Sequence, residues 1–212
     1  IDRSLVGSEM CIRDSLSSLS RNFSDRVNKL ENKIFKISGS EFNIGSPKQL
    51  SEVLFDNMGL TLSKKTKTGE RSTGIEVLED LSYEGHEIAQ LIIEWRQLSK
   101  LKNTYADSLP NHIAKETGRI HTSYAMASTS TGRLASSDPN LQNIPIRTNE
   151  GRLIREAFIA DKGNLIFSAD YSQIELRVLA HIADVGQLKQ AFNNNEDIHQ
   201  LTASEIFNVS LN

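Results

Sequence analysis

The sequence has one cysteine, Cys11, among its 212 residues, and it has no long apolar run. A single cysteine excludes an internal disulfide framework and fits a reducing compartment. The apolar runs are far too short to span a bilayer, so no transmembrane helix is predicted. The chain is still long enough to bury a hydrophobic core, as one ordinary domain or two small ones.

The sequence also lacks an excess of positive charge. It has 24 lysines and arginines against 27 aspartates and glutamates, which gives a formal net charge of -3. A basic patch or an overall basic charge is the usual footprint of a nucleic-acid-binding domain. Any binding of nucleic acid must therefore depend on local clusters of cations. Repeats and low-complexity tracts are absent apart from the three asparagines at 193–195.

The first half of the sequence has helical periodicity. Apolar residues recur at three- and four-residue steps, which predicts amphipathic helices that face a core. The helical patterns cover residues 16–37, 46–58, 73–81 and 84–109. Ser46 and Pro47 are typical of an N-cap and a first helical position, and Gly59 is typical of a helix end. Trp95 lies on the apolar stripe of the last of these helices and is interpreted as a core residue.

The segment 61–73, between the second and third helical patterns, is polar and unpatterned. Its cations are Lys64, Lys65, Lys67 and Arg71. One interpretation is a solvated loop, and the other is a mobile arm that contacts phosphates. The residues alone favour neither.

After Gly118 the periodicity changes to the alternation of strands. The predicted strands cover residues 119–127, 132–136, 152–159 and 165–170, with turns at 137–140 and 161–164. Between the two pairs of strands lie three amides, Asn140, Gln142 and Asn143. Such amides either stabilise the turn or donate hydrogen bonds to minor-groove acceptors of a nucleic acid.

Asp170 lies at the end of the last predicted strand, whose apolar residues 165–167 are expected to be buried. The spacing from Ser172 to Glu175 is typical of a capping box, which predicts a helix that begins here. A carboxylate between a strand end and a helix N-terminus suits the binding of a divalent metal for phosphoryl chemistry. The spacing leaves an alternative, in which Asp170 forms a turn and Glu175 only caps the helix.

Two further helices are predicted near the end of the chain, over residues 187–192 and from Asp197 onwards. Asp197 is predicted to be an N-cap. His199 would lie in the first turn of this last helix, and by itself it is interpreted as structural.

Two blocks of sequence resemble motifs of the family A DNA polymerases. Residues 170–177, DYSQIELR, resemble the first catalytic motif of that family. Residues 131–147, TGRLASSDPNLQNIPIR, resemble the strand-and-loop segment just upstream of it. The two blocks stand in the order of the family and close to its separation, and the resemblance extends from about Leu16 to Asn212.

The resemblance implies an α+β fold, with a helical thumb followed by the first part of the antiparallel-sheet palm of a right-hand polymerase, without the fingers. The implied divisions are a non-native leader (1–15), the helix at the base of the thumb (16–45), the thumb with a basic tip (46–115) and the N-terminal part of the palm up to the start of the fingers (116–212).

The function implied by the resemblance is template-directed DNA synthesis, in which deoxynucleotides are added to a primer 3′-hydroxyl with two Mg²⁺ ions. Asp170 would be catalytic and would bind metal together with the backbone carbonyl of Tyr171. The second metal-binding carboxylate is expected outside this chain, so the chain alone is expected to be inactive. The implied nucleotide-binding residues are Gln173, Ile174, Glu175, Arg147 and His199, with Glu175 as a steric gate against ribose. The implied DNA-binding residues are Arg133, Asn140, Gln142, Asn143, Arg96, Lys100, Lys64, Lys65 and Lys67.

The implied partners are primer–template DNA and deoxynucleoside triphosphates. The resemblance also implies a monomer that acts in replication or repair at the bacterial nucleoid in the cytoplasm, away from membranes. Two other functions stay open: a single-subunit RNA polymerase, which Glu175 argues against, and a noncatalytic duplex-DNA-binding module. A nuclease has less support, because no second or third acidic partner for Asp170 is evident.

Overall fold

The computed structural model describes residues 4–5, 9–61 and 71–209, and the chain forms two compact units, 1–165 and 166–212. The helices of the first unit are α1 (Glu9–Ser38), α2 (Pro47–Ser51), α3 (Ile75–Tyr83), α4 (Glu87–Leu101) and α5 (Asn149–Glu156). Its strands are β1 (Ser4–Leu5), β2 (Ile113–Ala114), β3 (Arg119–His121), β4 (Ser123–Ala125) and β5 (Ala135–Ser137). The second unit contains α6 (Ile174–Ile182), α7 (Gly186–Asn193) and α8 (Ile198–Phe207). The α+β fold predicted from the sequence is confirmed.

The core of the first unit is built around α4, against which both α1 and α3 pack. The spacing along α1 places four side chains on its buried face, Leu16, Phe23, Leu30 and Ile34. The matching buried residues of α4 include Ile88, Leu91, Ile92, Leu98 and Leu101. Trp95 packs against this core, and its Nε1 donates a hydrogen bond to Glu31 at 2.9 Å. The predicted amphipathic helices are confirmed, and each fully buried large side chain contributes roughly 1.5–3 kcal/mol.

The second predicted helix begins and ends as its sequence indicates. The Ser46 side chain accepts a hydrogen bond from the backbone nitrogen three residues later, and Pro47 is the first helical residue of α2. The helix continues as a π-helical turn over Glu52–Asn57. Gly59 follows it with a φ of +68°, which glycine adopts without a clash because it has no Cβ.

The strands form two small antiparallel sheets. In one sheet β3 lies between β1 and β2, and in the other β4 pairs with β5. The β4–β5 register places Tyr124 opposite Ser136, which confirms that the predicted strands 119–127 and 132–136 are partners. These strands are shorter than predicted, because the run breaks at Thr122 into β3 and β4.

The prediction of a strand over residues 152–159 is wrong, because residues 149–156 form α5. Thr148 caps this helix by accepting a hydrogen bond from the backbone nitrogen of Gly151 at 3.1 Å. Gly151 and Ile154, three residues apart, are both buried, which is the spacing of a helix face. The local cap and the three-residue spacing therefore outweigh the apparent alternation.

The prediction of a buried strand over residues 165–170 is also wrong. These residues have no regular structure, and Leu165 and Phe167 are 94% and 89% exposed. A strand requires a hydrogen-bonding neighbour, and much of its predicted neighbour lies in α5 instead. The turn before it is confirmed by a hydrogen bond from the Asn164 nitrogen to the Asp161 carbonyl at 2.9 Å.

Residues 9–15 are helical, although the sequence predicts no regular structure for residues 1–15. The start of the first helix predicted at residue 16 is therefore wrong. Extension of an established helix is cheap because nucleation is the costly step. That residues 1–15 are a non-native leader stays a prediction. No described helix has the length and apolar character needed to cross a bilayer.

In the second unit, α7 packs against both α6 and α8. The guanidinium of Arg177 on α6 lies 4.4 Å from the ring centre of Phe192 on α7, a cation–π contact. Asp197 caps α8, as predicted, by accepting from the backbone nitrogens of His199 and Gln200. Few of the described side chains of this unit are buried, namely Ala180, Ala191 and Ile198.

Candidate functional site

Two buried hydroxyls hold the hairpin that leads into the amide loop, which we define as residues 140–143. Thr122 and Ser136 are 2% and 5% exposed, and their hydroxyl oxygens lie 2.7 Å apart. The Thr122 hydroxyl also donates to the Pro139 carbonyl oxygen at 2.8 Å, and the Ser136 hydroxyl accepts from the Leu141 nitrogen at 3.1 Å. An unpaired buried polar atom is costly. This network therefore fixes the start of the amide loop.

The side-chain amides of Asn140 and Gln142 form hydrogen bonds within the hairpin. The Asn140 Oδ1 accepts from the Gln142 backbone nitrogen at 3.0 Å. The Gln142 side chain accepts from the Ser136 nitrogen at 3.1 Å and donates to the Leu134 carbonyl oxygen at 3.0 Å. Turn stabilisation, one of the two interpretations, therefore accounts for these hydrogen bonds. Both residues are also exposed, so a second molecule can reach them.

Asn143, the last residue of the amide loop, is held through its backbone. Tyr105 lies in the π-helical turn Lys102–Ala106 that continues α4, and its hydroxyl donates to the Asn143 carbonyl oxygen at 2.5 Å. Tyr105 is 2% exposed, and burial raises the pKa of its hydroxyl, so this group remains a donor. Sequence periodicity places Tyr105 on an apolar stripe, but it gives no signal that its hydroxyl reaches the loop.

Two predicted site arginines lie on either side of the amide loop in the chain. Arg133 precedes β5, and Arg147 precedes Thr148, the cap of α5. Both arginines are exposed. Their guanidinium groups are therefore accessible to an anion such as phosphate.

The predicted phosphate-binding cations of the helical region have different environments. Arg96 is half-buried, donates to the Thr73 carbonyl oxygen at 2.5 Å and has a pKa lowered by burial. It lines an open cavity of about 990 Å³ together with Arg71 and Trp95. Lys100 is exposed and lines a groove of about 280 Å³. Three of these cations lie outside the described residues, namely Lys64, Lys65 and Lys67.

Arg26 of α1 links two elements near this groove, and nothing in the sequence singles it out. Its guanidinium lies 2.7 Å from Glu150 of α5 and 3.5 Å from Glu94 of α4. The hydrogen bond from Arg26 lowers the pKa of the Glu150 carboxyl. The α5 helix, which follows the amide loop, is thereby tied to α1.

In the second unit, Asp170 and Tyr171 lie in an exposed segment just before α6. A carboxylate and a backbone carbonyl are hard oxygen donors, the ligands that Mg²⁺ prefers. Among the described residues, no group of three or more His, Cys, Asp or Glu side chains could hold a metal ion. The residues therefore fit Mg²⁺ in chemistry, but an ion at Asp170 would need further ligands, such as water, nucleotide oxygens or another carboxylate.

Helix α6 begins at Ile174, after Gln173, which has a φ of +52°. The predicted capping box with Ser172 as the N-cap is wrong, because the N-cap is Gln173, whose side chain forms no capping hydrogen bond. The Ser172 carbonyl instead accepts a hydrogen bond from Arg177 Nε at 3.0 Å. Glu175 is exposed in the first turn of the helix.

His199 is exposed in the first turn of α8, where its backbone nitrogen donates to Asp197 at 2.8 Å. It belongs to the same unit as the predicted residues around the start of α6, Asp170, Tyr171, Gln173, Ile174 and Glu175. Arg147 and the amide loop belong to the first unit.

The chain is similar to known proteins over most of its length. The family model for DNA polymerase family A matches residues 13–212. DNA polymerase I of Rhizobium leguminosarum is 56% identical over 197 residues, which cover 93% of this chain and 19% of that protein. DNA polymerase I of Pseudomonas aeruginosa is 51% identical over 192 residues, which cover 91% of this chain and 21% of that protein. The chain thus spans far less than half the length of either relative.

A solved structure is similar in fold as well as in sequence. It is the POL domain of Pol1 from M. smegmatis, in complex with DNA primer-template and dNTP. The TM-score is 0.84 at 41% identity, and the match covers 93% of this chain and 35% of that chain.

Proposed function

Because the chain belongs to DNA polymerase family A, we propose that the complete protein performs template-directed DNA synthesis. In this reaction a primer 3′-hydroxyl attacks the α-phosphate of a deoxynucleoside triphosphate, and pyrophosphate leaves. The M. smegmatis polymerase domain was solved with primer-template and dNTP, which supports these two partners. The complete protein is expected to be a monomer at the bacterial nucleoid.

The observation that carries this proposal is the exposed carboxylate of Asp170, immediately before α6, within a motif that resembles the catalytic motif of the family. Asp170 and the Tyr171 carbonyl would hold divalent Mg²⁺, with a second carboxylate from outside this chain. Mg²⁺ bound there would supply Lewis-acid chemistry for phosphoryl transfer. The role of Asp170 is therefore to hold a cation where the primer end and the triphosphate meet.

The residues around the start of α6 bind the nucleotide in this proposal. Gln173 and Ile174 contact the incoming nucleotide, and the Glu175 side chain crowds a ribose 2′-hydroxyl, which favours deoxynucleotides. The exposure of Glu175 in the first turn of α6 supports this assignment, because a bound nucleotide can reach its side chain. Arg147 and His199 donate hydrogen bonds to triphosphate oxygens.

The first unit binds DNA in this proposal, with residues 46–115 as the thumb. The amide loop and Arg133 contact minor-groove acceptors, which all correct base pairs share. The hydrogen bonds of Asn140 and Gln142 within the hairpin support this role, because they hold the loop in one shape. Phosphate contacts come from the remaining cations, Arg96, Lys100, Lys64, Lys65 and Lys67, and their contribution falls with added salt.

The test is an alanine substitution of Asp170 in the complete protein. We expect Asp170→Ala to lower single-turnover incorporation by about a thousandfold or more, because it removes transition-state charge stabilisation. Equilibrium affinity for primer–template is expected to stay close to the wild-type value. The matched control is Asp184→Ala, which removes an exposed carboxylate paired with Lys189 at 2.6 Å. Near-normal incorporation by Asp170→Ala would overturn the proposal.

A second arm of the same experiment uses Glu175→Ala. Ribonucleotide incorporation is expected to rise relative to deoxynucleotide incorporation, and unchanged sugar discrimination would return Glu175 to a structural role. A wild-type preference for ribonucleotides would instead indicate a single-subunit RNA polymerase.

A noncatalytic duplex-binding module is the second candidate. The observation that favours it is the separate core of the first unit, with a hydrogen-bonded amide loop of its own. Salt-dependent duplex binding by a complete protein that never extends a primer would support this candidate over the polymerase.

A further inference from the structure

We propose that Tyr105 is a positioning residue that couples α4 to the amide loop, so that a shift of this helix on DNA changes how the loop contacts the primer end. The inference rests on the proposed function, because it concerns DNA that the loop and the helix would both contact. It assigns to one buried hydroxyl a role that the sequence motifs do not indicate.

The Tyr105 hydroxyl joins the core of the first unit to the amide loop. It donates to the Asn143 carbonyl oxygen at 2.5 Å, and the ring of Tyr105 lies in the core of the first unit. Because the residue is 2% exposed and packed in this core, its ring has little freedom to turn the hydroxyl away from Asn143. Loss of the hydroxyl would leave the Asn143 carbonyl without this donor.

The two ends of the amide loop are held by contacts of different origin. The Asn140 and Gln142 side chains bond to backbone groups of the same hairpin, including Leu134 and Ser136. These bonds set the internal shape of the loop. The Tyr105 bond comes from a helical element instead, and it therefore sets the position of the loop relative to α4.

A groove lies between the helix and the loop. Its volume is about 280 Å³, and Lys100, Tyr105, Asn143 and Pro145 are among its lining residues. Tight packing transmits small displacements between elements, and a groove interrupts that packing. A hydroxyl that bridges the edge of this groove can carry the coupling.

Lys100 would link this helix to DNA. Lys100 lies on α4, shortly before Tyr105, and it is exposed for a phosphate contact. A phosphate bound by Lys100 would pull on the same helix whose continuation holds the Asn143 carbonyl. Binding of the duplex and checking of the primer end would therefore be coupled through Tyr105.

The experiment compares Tyr105→Phe with wild type in the complete protein, by primer extension from matched and mismatched ends. The ratio of the two rates, here called discrimination, is expected to fall about fivefold, the effect of one typical hydrogen bond. A matched primer end that carries 3-deazaguanine, which lacks the N3 acceptor, should slow wild type more than Tyr105→Phe. The control is Tyr83→Phe, because Tyr83 is 95% exposed. Replacement of Tyr105 by 4-aminophenylalanine, which keeps a donor, should restore discrimination.

A purely structural role makes a different prediction. In that case Tyr105→Phe lowers the melting temperature but leaves discrimination and the 3-deazaguanine effect unchanged, which would overturn the inference. Lys100→Ala provides a second variant that does not disturb the core. It should change discrimination in the wild-type background and have less effect in Tyr105→Phe, whereas equal effects in both backgrounds would also overturn the inference. If wild type extends no primer at all, it is the proposed function that fails.

Discussion

The two units of this chain show similar helical patterns but bury their apolar side chains to very different extents. In the first unit Phe23 and Leu54 are fully buried in a core shared by several helices. In the second unit Phe167, Ile182 and Phe207 are 89%, 77% and 73% exposed. A periodic sequence is sufficient to form a helix, but burial also needs a partner element, and the described second unit supplies few.

The largest expected effect on the free energy of unfolding comes from one of a matched pair of phenylalanine substitutions in the 212-residue chain. Phe23→Ala should lower the free energy of unfolding by about 3–5 kcal/mol, because it leaves a cavity in the core. Phe167→Ala should change it by less than about 0.5 kcal/mol, because the side chain is exposed. Urea denaturation followed by circular dichroism measures both. Equal losses would show that residue 167 is packed and would end the contrast between the units.

A pair of glycines sharpens the comparison at the level of single contacts. A Cβ on Gly151 in α5 would lie 2.5 Å from the Pro145 carbonyl oxygen, whereas one on Gly186 in α7 would meet nothing within 4 Å. Gly151→Ala should therefore cost about 1–3 kcal/mol through overpacking, whereas Gly186→Ala should be neutral or stabilising. Thermal unfolding distinguishes the two variants. A harmless Gly151→Ala would mean that Pro145, and the end of the amide loop, can move.

Two threonines test the hydroxyl network in the same way. Thr122→Val removes the buried hydroxyl that bonds to Ser136 and Pro139, and it should cost about 1–3 kcal/mol because partners stay buried. Thr202→Val removes a hydroxyl that donates to the Ile198 carbonyl at 2.8 Å on exposed α8, and it should cost little. Hydrogen exchange at the Leu141 amide should speed up in the first variant alone. Unchanged exchange there would argue against a role for Thr122 in holding the loop.

The smallest expected effect depends on pH. Since the hydrogen bond from Arg26 lowers the pKa of Glu150 below its ordinary 4.5, this pair contributes stability at neutral pH. The contribution is lost as the pH falls through the lowered pKa, and it is expected to be below about 1 kcal/mol for a partly exposed pair. Glu150→Gln should remove that part of the acid dependence. An identical pH profile for wild type and variant would show that the pair contributes nothing.

The sequence predicted well those elements whose signals are local. The α1 stripe, the Ser46–Pro47 start of α2 and the Asp197 cap of α8 all depend on residues within a few positions of each other. The two failed strands differ, because a strand is defined by a hydrogen-bonding neighbour that lies outside its own local sequence. The failed capping box shows a third limit, since a shift of the helix start to Ile174 removes the bond that the spacing predicts.

The candidate site shows the same difference between local signals and contacts made by distant residues. The sequence could indicate Asp170 and the amide loop, because motifs of adjacent residues identify them. It could not indicate that Tyr105 bonds to Asn143, 38 residues away, or that Arg26 bonds to Glu150, 124 residues away. Such contacts depend on how helices pack, and many pairings are compatible with the same periodicity.

By itself, the sequence determined where most helices form, which faces of the first unit are apolar, and which short motifs are candidates to carry the chemistry. Only the tertiary structure decided that the Asn140 and Gln142 amides are hydrogen-bonded within their hairpin, that Gln173 is the N-cap of α6, and that a buried tyrosine holds the end of the loop. The physical reason is the separation along the chain over which each interaction acts. Propensity and periodicity act over a few residues, whereas hydrogen bonds between distant side chains exist only after packing has brought them together.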